Sequence, residues 1–307
     1  MCVKRILIVF FLVLFITLFL PLTIVYFAGA VQKSDALQNG TVKVFLKDEN
    51  KTVEMDMNKY LQGVVAAEMP ADFEAEALKA QAVAARSYIY SKIEQFNAGN
   101  TSGEHPDAPV CTDYTHCQAY TDSEIPDNIR AAVTATDGQV MTYNGEIISA
   151  LFHSTSSGET EAAVNVWGSD VPYLQSVRSE GDLDSPQYLS SRTLTVEEFK
   201  TIAEKNLDGV DWSKPLYENI GRSEAGGIIS LDIGGVKVRG TDFRKMLDLH
   251  STNAEITQKD GKIIISVRGY GHGVGMSQYG ANAMAQQGSG YEEILKSYYT
   301  GVEIEHR

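Results

Sequence analysis

Glu68 is the residue whose setting most invites chemistry. It stands in Val64-Val-Ala-Ala-Glu-Met-Pro, an apolar stretch that closes just before Pro70. Apolar surroundings disfavour the charged carboxylate and raise its pKa, which is what a general acid needs near neutral pH. A helix-end glutamate facing water is the alternative, and the local context leaves both open. A second constellation is His105, Cys111, His116 and Cys117, spaced H-x5-C-x4-H-C. Two thiolates and two imidazoles suit tetrahedral zinc, and four protein ligands would make the site closed and structural. A Cys111–Cys117 disulfide is the competing use of the same pair.

Other residue types suggest binding. Arg86, Ser87 and Tyr88 follow one another on a predicted helix rich in alanine. A cation there must reach solvent, a carboxylate or a substrate; we expect Arg86 to face a groove, near a ligand carboxylate. Gly269–Gly275 alternates glycine with Tyr270, His272 and Val274. Alternate glycines let backbone approach a flat ligand, or let a strand pack against small side chains. The stretch lacks the βαβ context of a dinucleotide fingerprint. Trp167, Tyr173 and Tyr270 are candidates for stacking on sugar faces or, equally, for the core, with Gln278 just beyond the glycine stretch. Ser154 beside His153, or with His272, would suit a serine hydrolase, but no strand-turn-helix elbow surrounds it. Glu159 and Glu161 follow the 152–158 stretch and are candidates for a second acid, although exposed loop carboxylates are the favoured reading.

The elements that must position these groups are legible in part. Residues 41–46 and 52–57 alternate at period two around a 47–51 turn, predicting a hairpin. Asn58 reads as the cap of a helix that runs to about Ala67. From Glu74 to Phe96, Leu78, Ala82, Ala85, Ile89 and Ile93 recur at helical spacing, predicting a long central helix. Residues 97–127 are rich in Gly, Pro, Asp and Thr and read as a loop insertion, functional or stapled. Asn144-Gly145 predicts a tight hairpin turn between strands at 138–143 and 146–152, and Thr195 with Glu197 and Glu198 a capped helix to about 206. Strands are expected at 227–233, 236–239 and 262–268, a helix at 241–249, and helices after Ser277 and from Tyr291 to Tyr299. The mixture lacks regular alternation, so the fold class is α+β.

Ile6–Phe27 forms an uncharged apolar run of 22 residues behind Lys4 and Arg5. Roughly 20 apolar residues cross a bilayer, and the basic flank holds the N-terminus inside. We therefore expect an N-terminal transmembrane helix in residues 1–30, a linker over 31–40 and an extracytoplasmic domain over 41–307. Ala28-Gly29-Ala30 keeps a cleaved signal peptide as the alternative. Residues 31–307 carry 24 basic against 40 acidic side chains, net −16. Such a surface repels nucleic acid and anionic lipid but tolerates a polysaccharide.

Several blocks together resemble the stage II sporulation protein D family. They are Ala66–Pro70 with Glu76–Tyr88, Phe152–Gly158, Val166–Gly168 with Pro172–Leu174, and Gly269–Ala281, in the family's order. The resemblance implies a lytic transglycosylase that cuts peptidoglycan glycan strands lacking stem peptides during engulfment in sporulation, with Glu68 as the acid/base. It also implies a place in the sporulation septum and, as partners, the sporulation amidase stage II protein P and the membrane protein stage II protein M. Related chains in the same superfamily resemble non-enzymatic enhancers of cell-wall amidases, which is the alternative function.

Overall fold

The computed structural model describes residues 40–307. The apolar run at Ile6–Phe27 and its small-residue boundary lie outside the described residues. Among the described residues no helix is long and apolar enough to cross a membrane.

The architecture is mixed α and β, in two compact units. Among the described residues the first comprises 40–59 with 89–118, the second 60–88 with 119–307. In the first unit, β1 (Thr41–Leu46) and β2 (Lys51–Asp56) form the expected hairpin, and β3 (Val110–Cys111) joins β1 in parallel. Alternation fixes the register: Val42 and Val44 point to the same face and are fully buried.

Helix α1 (Met57–Glu68) begins one residue before the expected cap and carries Glu68 as its last residue. Pro70 stops it, because proline has no N–H to continue the ladder. Helix α2 (Ala75–Asn97) follows after a short turn. Its expected apolar face is only part of its burial: Gln81, Arg86 and Ser87 are as enclosed as Leu78 and Ile89. The run Ala80 to Ala85 makes this possible, since methyl side chains let neighbours approach from several sides.

In the second unit, α3 (Asp127–Ala135) is a helix that the loop-like composition concealed. Next come β4 (Gln139–Tyr143) and β5 (Glu146–Ile147), joined by Asn144 at φ 53° and Gly145 at φ 81°. Both central residues have positive φ, as the predicted turn type requires. Strand β6 (Phe152–His153) then leaves that hairpin, contrary to the expected strand through 152, and pairs elsewhere. The short helix α4 (Ala163–Trp167) ends at Gly168.

The stretch 189–268 builds its own core. Strand β7 (Leu189–Thr195) leads into α5 (Val196–Asn206), capped by Thr195 and Glu198 in a reciprocal box. Strands β8 (Glu218–Arg222), β9 (Ile228–Ile233) and β10 (Val236–Arg239) form one sheet. Helix α6 (Gly240–Met246) follows. Strands β11 (Ala254–Lys259) and β12 (Lys262–Arg268) form a second sheet with β7. Phe199, Leu231, Phe243, Ile263 and Ile265 fill the space between.

The chain closes with β13 (Met276–Ser277), α7 (Gln278–Gln286), α8 (Tyr291–Tyr298) and β14 (Glu303–His306). Strand β14 completes the β4–β5 sheet. Strand β13 pairs in parallel with β6, setting Met276 beside Phe152 and Ser277 beside His153. This pairing brings two distant motifs onto one spot.

Candidate functional site

Glu68 sits where α1 ends, partly buried between two segments far away in sequence. The Ala119 backbone N–H donates to its Oε1 at 2.6 Å, and the Gln278 side-chain amide lies 3.5 Å from Oε2. Burial pushes this carboxyl above its ordinary range, and the two amide donors, which favour the charged form, pull part of the way back. The consequence is an atom-level division of labour. Oε1 is committed to the amide N–H, so a proton held by Glu68 resides on Oε2.

Gly63 sets the close approach that makes the Ala119 contact. It faces residues 120 and 121, and its carbonyl accepts the Thr121 N–H at 3.2 Å. A Cβ there would lie 2.4 Å from Tyr120 Cε2 and 2.5 Å from the Thr121 oxygen. Tyr120 in turn stacks on Tyr60, centroids 5.4 Å apart. Gly63→Ala is therefore expected to lift the 119–121 segment and weaken the N–H bond to Glu68. Losing a donor to the carboxylate moves the Glu68 titration to higher pH, which carbon NMR of the labelled carboxyl measures. An unchanged titration would show that Gly63 does not govern this contact.

Gln278 is held as firmly. It is the first residue of α7, whose cap Ser277 accepts the Gly280 N–H at 3.4 Å. The Ser277 hydroxyl also donates to Asp182 Oδ1 at 2.5 Å, while Ser156 and Ser179 donate to Asp182 Oδ2, each at 2.6 Å. Asp182 is fully buried and gathers three hydroxyls behind the residue that touches Glu68. Sequence reasoning missed both Gly63 and Asp182. Glycine in a helix (Gly63) was a weak signal, and nothing around Asp182 distinguished it from a surface acid.

The glycine stretch is not a strand. Gly269, Gly271, Gly273 and Gly275 all have positive φ, between 73° and 121°, so the segment is a string of left-handed turns. It lies against residues 151–161: a Cβ on Gly275 would meet the Leu151 oxygen at 2.0 Å, and one on Gly271 the His153 Cβ at 2.7 Å. The partner is thus the Phe152–Gly158 motif, not the alanines of α2. His153 is buried and donates from Nδ1 to the Val274 carbonyl at 3.2 Å. Its ring centroid lies 5.7 Å from that of His272, which lies 5.3 Å from that of the exposed Trp167. Burial holds His153 down to about 4 and His272 down to about 3, so both rings are neutral. Ser154 bonds the neighbouring Thr155 hydroxyl at 3.2 Å, and its carbonyl accepts the Tyr279 N–H. A shallow cleft opens between Ser157, Glu159, Glu161, Thr252, Arg268 and His272. Glu161 is buried, not the exposed loop acid expected: Ser223 and the Gly227 N–H bond its Oε1 at 2.8 and 3.1 Å.

In the first unit, His105, Cys111, His116 and Cys117 converge, with all four potential ligand atoms within 4.8 Å of one another. The cysteines are free thiols. The group can hold a metal ion. His105 Nδ1 donates to the Ala108 carbonyl at 2.8 Å, and His116 Nε2 lies 3.4 Å from Ser102 Oγ. The Ala108 contact leaves His105 Nε2 as a lone pair, and it faces His116 Nδ1 at 2.8 Å, a gap that a proton on His116 or a metal ion can bridge. The sulfur–nitrogen distances of 3.4, 3.7 and 4.0 Å resemble the edges of a tetrahedron around one ion. Hydrogen bonds from Cys117 and His116 hold the Cys111 thiol down to about 5, and its charge pushes Cys117 up.

Comparison with known proteins places this arrangement. The SpoIID family model, Stage II sporulation protein, matches residues 47–143. Stage II sporulation protein D of Bacillus amyloliquefaciens is 37% identical over 276 residues, covering 86% of this chain and 78% of the relative. The chain belongs to the stage II sporulation protein D family. The Bacillus subtilis (strain 168) member is 38% identical over 268 residues, covering 83% of this chain and 76% of its own length. An amidase enhancer of the same organism is 31% identical over 301 residues, which covers 80% of this chain but 40% of that protein.

For this stage II sporulation protein D family member the structure revises part of the expected binding set. Arg86 does not face a groove. It is 1% exposed, and it donates to the Val133 and Gln139 carbonyls, each at 3.1 Å. It ties α2 to the carbonyl end of α3, where a cation is favoured. Ser87 is fully buried, donating to Val83 O at 2.7 Å and accepting the Met141 N–H at 2.9 Å. Tyr88 is likewise a core residue. Tyr173 is half-buried against Tyr143 and accepts the Ser149 N–H at 3.2 Å. Tyr270 is 42% exposed and Trp167 45%, so both present ring surface to solvent.

Proposed function

We propose that this protein is a lytic transglycosylase that cleaves the muramoyl–glucosaminyl bond of peptidoglycan strands stripped of stem peptides, during engulfment in sporulation. The observation that carries the reading is Glu68, whose carboxyl burial holds above its ordinary range and whose two oxygens meet amide donors instead of a second acid. Hydrolytic glycosidases normally use two carboxyls, the second activating water or attacking the sugar. A lytic transglycosylase needs one. Glu68 gives its Oε2 proton to the glycosidic oxygen, the C1–O bond breaks, and the leaving sugar departs as an alcohol. The 6-hydroxyl oxygen of the same muramoyl unit then bonds C1 while Glu68 takes its proton. The product is a 1,6-anhydro end, the acid is regenerated, and no water is consumed. The attacking hydroxyl is tethered, so proximity replaces an activated nucleophile. The neutral His153 and His272 and the exposed rings of Trp167 and Tyr270 supply uncharged contacts for a pyranose beside the acid.

His105, Cys111, His116 and Cys117 would hold zinc as a closed structural site, with no open position for chemistry. We further infer that the N-terminal apolar run anchors the protein with its enzyme domain outside the membrane. There it would act with the sporulation amidase stage II protein P, which creates the stripped strands, and with stage II protein M.

The second reading, a non-catalytic enhancer of a cell-wall amidase, rests on the similarity to an amidase enhancer. One experiment separates them. The full-length chain is incubated with stripped glycan strands and the products are read by mass spectrometry. Anhydro-ended fragments are expected. Intact strands, together with faster peptide release by an added amidase, would replace the first reading by the second.

A further inference from the structure

We propose that Arg244, on α6, is the carboxylate-binding residue of this site and reads the lactyl carboxylate that a muramoyl unit exposes once its peptide is gone. The proposal rests on the glycan reading above and assigns it a specificity determinant. Arg244 is half-buried, and among the described residues its guanidinium makes one hydrogen bond, from Nε to the Leu249 carbonyl at 3.2 Å. No described carboxylate lies within ion-pair reach of it; Asp242 and Asp248, close in the chain, are exposed and unpaired with it. The Nε contact leaves the Nη edge of the fork free, the edge that binds carboxylates in bidentate fashion.

The surroundings are those of a ligand site. Burial disfavours the Arg244 charge, and the nearby groups that sense it are His153, His272 and Tyr270. Two of these are neutral rings and the third a phenol, so none supplies a counter-charge. Arg268, by contrast, shares its cleft with Glu159 and Glu161. His153, 4% exposed, keeps Nε2 without a partner, and so does His250 its Nδ1. The His250 ring stands 4.5 Å from that of Tyr270, whose neighbour Gly271 donates to the His250 carbonyl at 2.9 Å. An uncompensated cation beside orphaned acceptors and exposed aromatic rings matches an acidic sugar: carboxylate on the fork, hydroxyl or acetamido donors on the imidazoles, ring face on Tyr270 or Trp167. The site also connects to the acid. Gln278 touches Glu68, its neighbour Ser277 pairs with His153, and His153 lies against His272. A lactyl group still bearing a peptide is a neutral amide and offers Arg244 no charge, so the same residue discriminates stripped from unstripped strands.

Calorimetric titration of the full-length Glu68→Gln protein, which binds without cutting, tests this. The probes are stripped strands, the same strands with their lactyl carboxylates methyl-esterified, and N-acetylglucosamine oligomers that lack the lactyl group. Stripped strands are expected to bind about tenfold to hundredfold tighter than the esters, the range for hydrogen bonds to a charged group. Arg244→Gln should erase that difference while leaving ester binding in place. Equal affinity for acid and ester by the Arg244-bearing protein would overturn the assignment, and this arm needs no variant at position 244 to fold. Failure to bind any of the three would instead remove the glycan reading itself.

Discussion

Glu68→Gln leaves the protein folded and lowers glycan cleavage by about a hundredfold to ten-thousandfold, the range that a positioned acid/base supplies. Glutamine keeps the size and the acceptor for the Ala119 N–H, so the geometry survives while the transferable proton is gone. Quantifying anhydro-ended fragments from stripped strands checks the rate, and circular dichroism checks the fold. The wild-type pH profile carries a second signature. The acid must be protonated, so activity falls as pH rises through the raised Glu68 pKa. Gln278→Leu removes a donor that favours the charged form, so it moves that alkaline limb further up, and the direction is diagnostic. Stability has the matching sign: with its folded pKa raised, Glu68 favours the folded state below its unfolded pKa, and this is lost as pH rises through the folded value. Full cleavage by Glu68→Gln would end the proposed mechanism.

Removing the metal should have the next largest effect. Zinc bound by four protein ligands is expected at one ion per chain in the wild type, and chelation or Cys117→Ala should release it. Segment 97–118 holds few apolar side chains of its own, and the facing imidazole nitrogens 2.8 Å apart would lose their bridging cation. Structural zinc contributes roughly 10 kcal/mol of apparent binding energy in small domains, so even a fraction of that lowers the melting temperature by many degrees. Elemental analysis with scanning calorimetry reads both. Equal metal content in wild type and Cys117→Ala, with unchanged melting, would exclude the site.

What could be read without the fold was whatever local chemistry settles. The Thr195–Glu198 box, the Asn144-Gly145 turn and the 41–56 hairpin each depend on a few adjacent residues, and each formed where expected. The apolar setting of Glu68 and the spacing of His105, Cys111, His116 and Cys117 were equally legible, because residue type and short-range spacing carry both signals. Helix α3 was hidden by a window in which Pro126 and Asp127 resemble a loop; it is held by burying Ile129, Ala132 and Val133. The local pattern is too short to announce that.

Arg86 shows the limit most clearly. Its neighbours said that a cation must find a partner, but not that the carbonyls of Val133 and Gln139 would supply one. Those carbonyls are distant in sequence, and only packing brings them within reach. The same holds for Arg244, whose significance is the absence of an acid around it, and for Asp182, which becomes a node when three serines from separate segments converge. The sequence by itself determined the fold class and marked Glu68 and the His105, Cys111, His116 and Cys117 group as candidates, since residue type and local periodicity carry those signals. The tertiary structure alone decided which amides meet Glu68, that the glycine stretch covers residues 151–161, and that the half-buried Arg244 keeps one edge of its fork open. Long-range pairing, such as β6 with β13, selects neighbours that no window of adjacent residues contains.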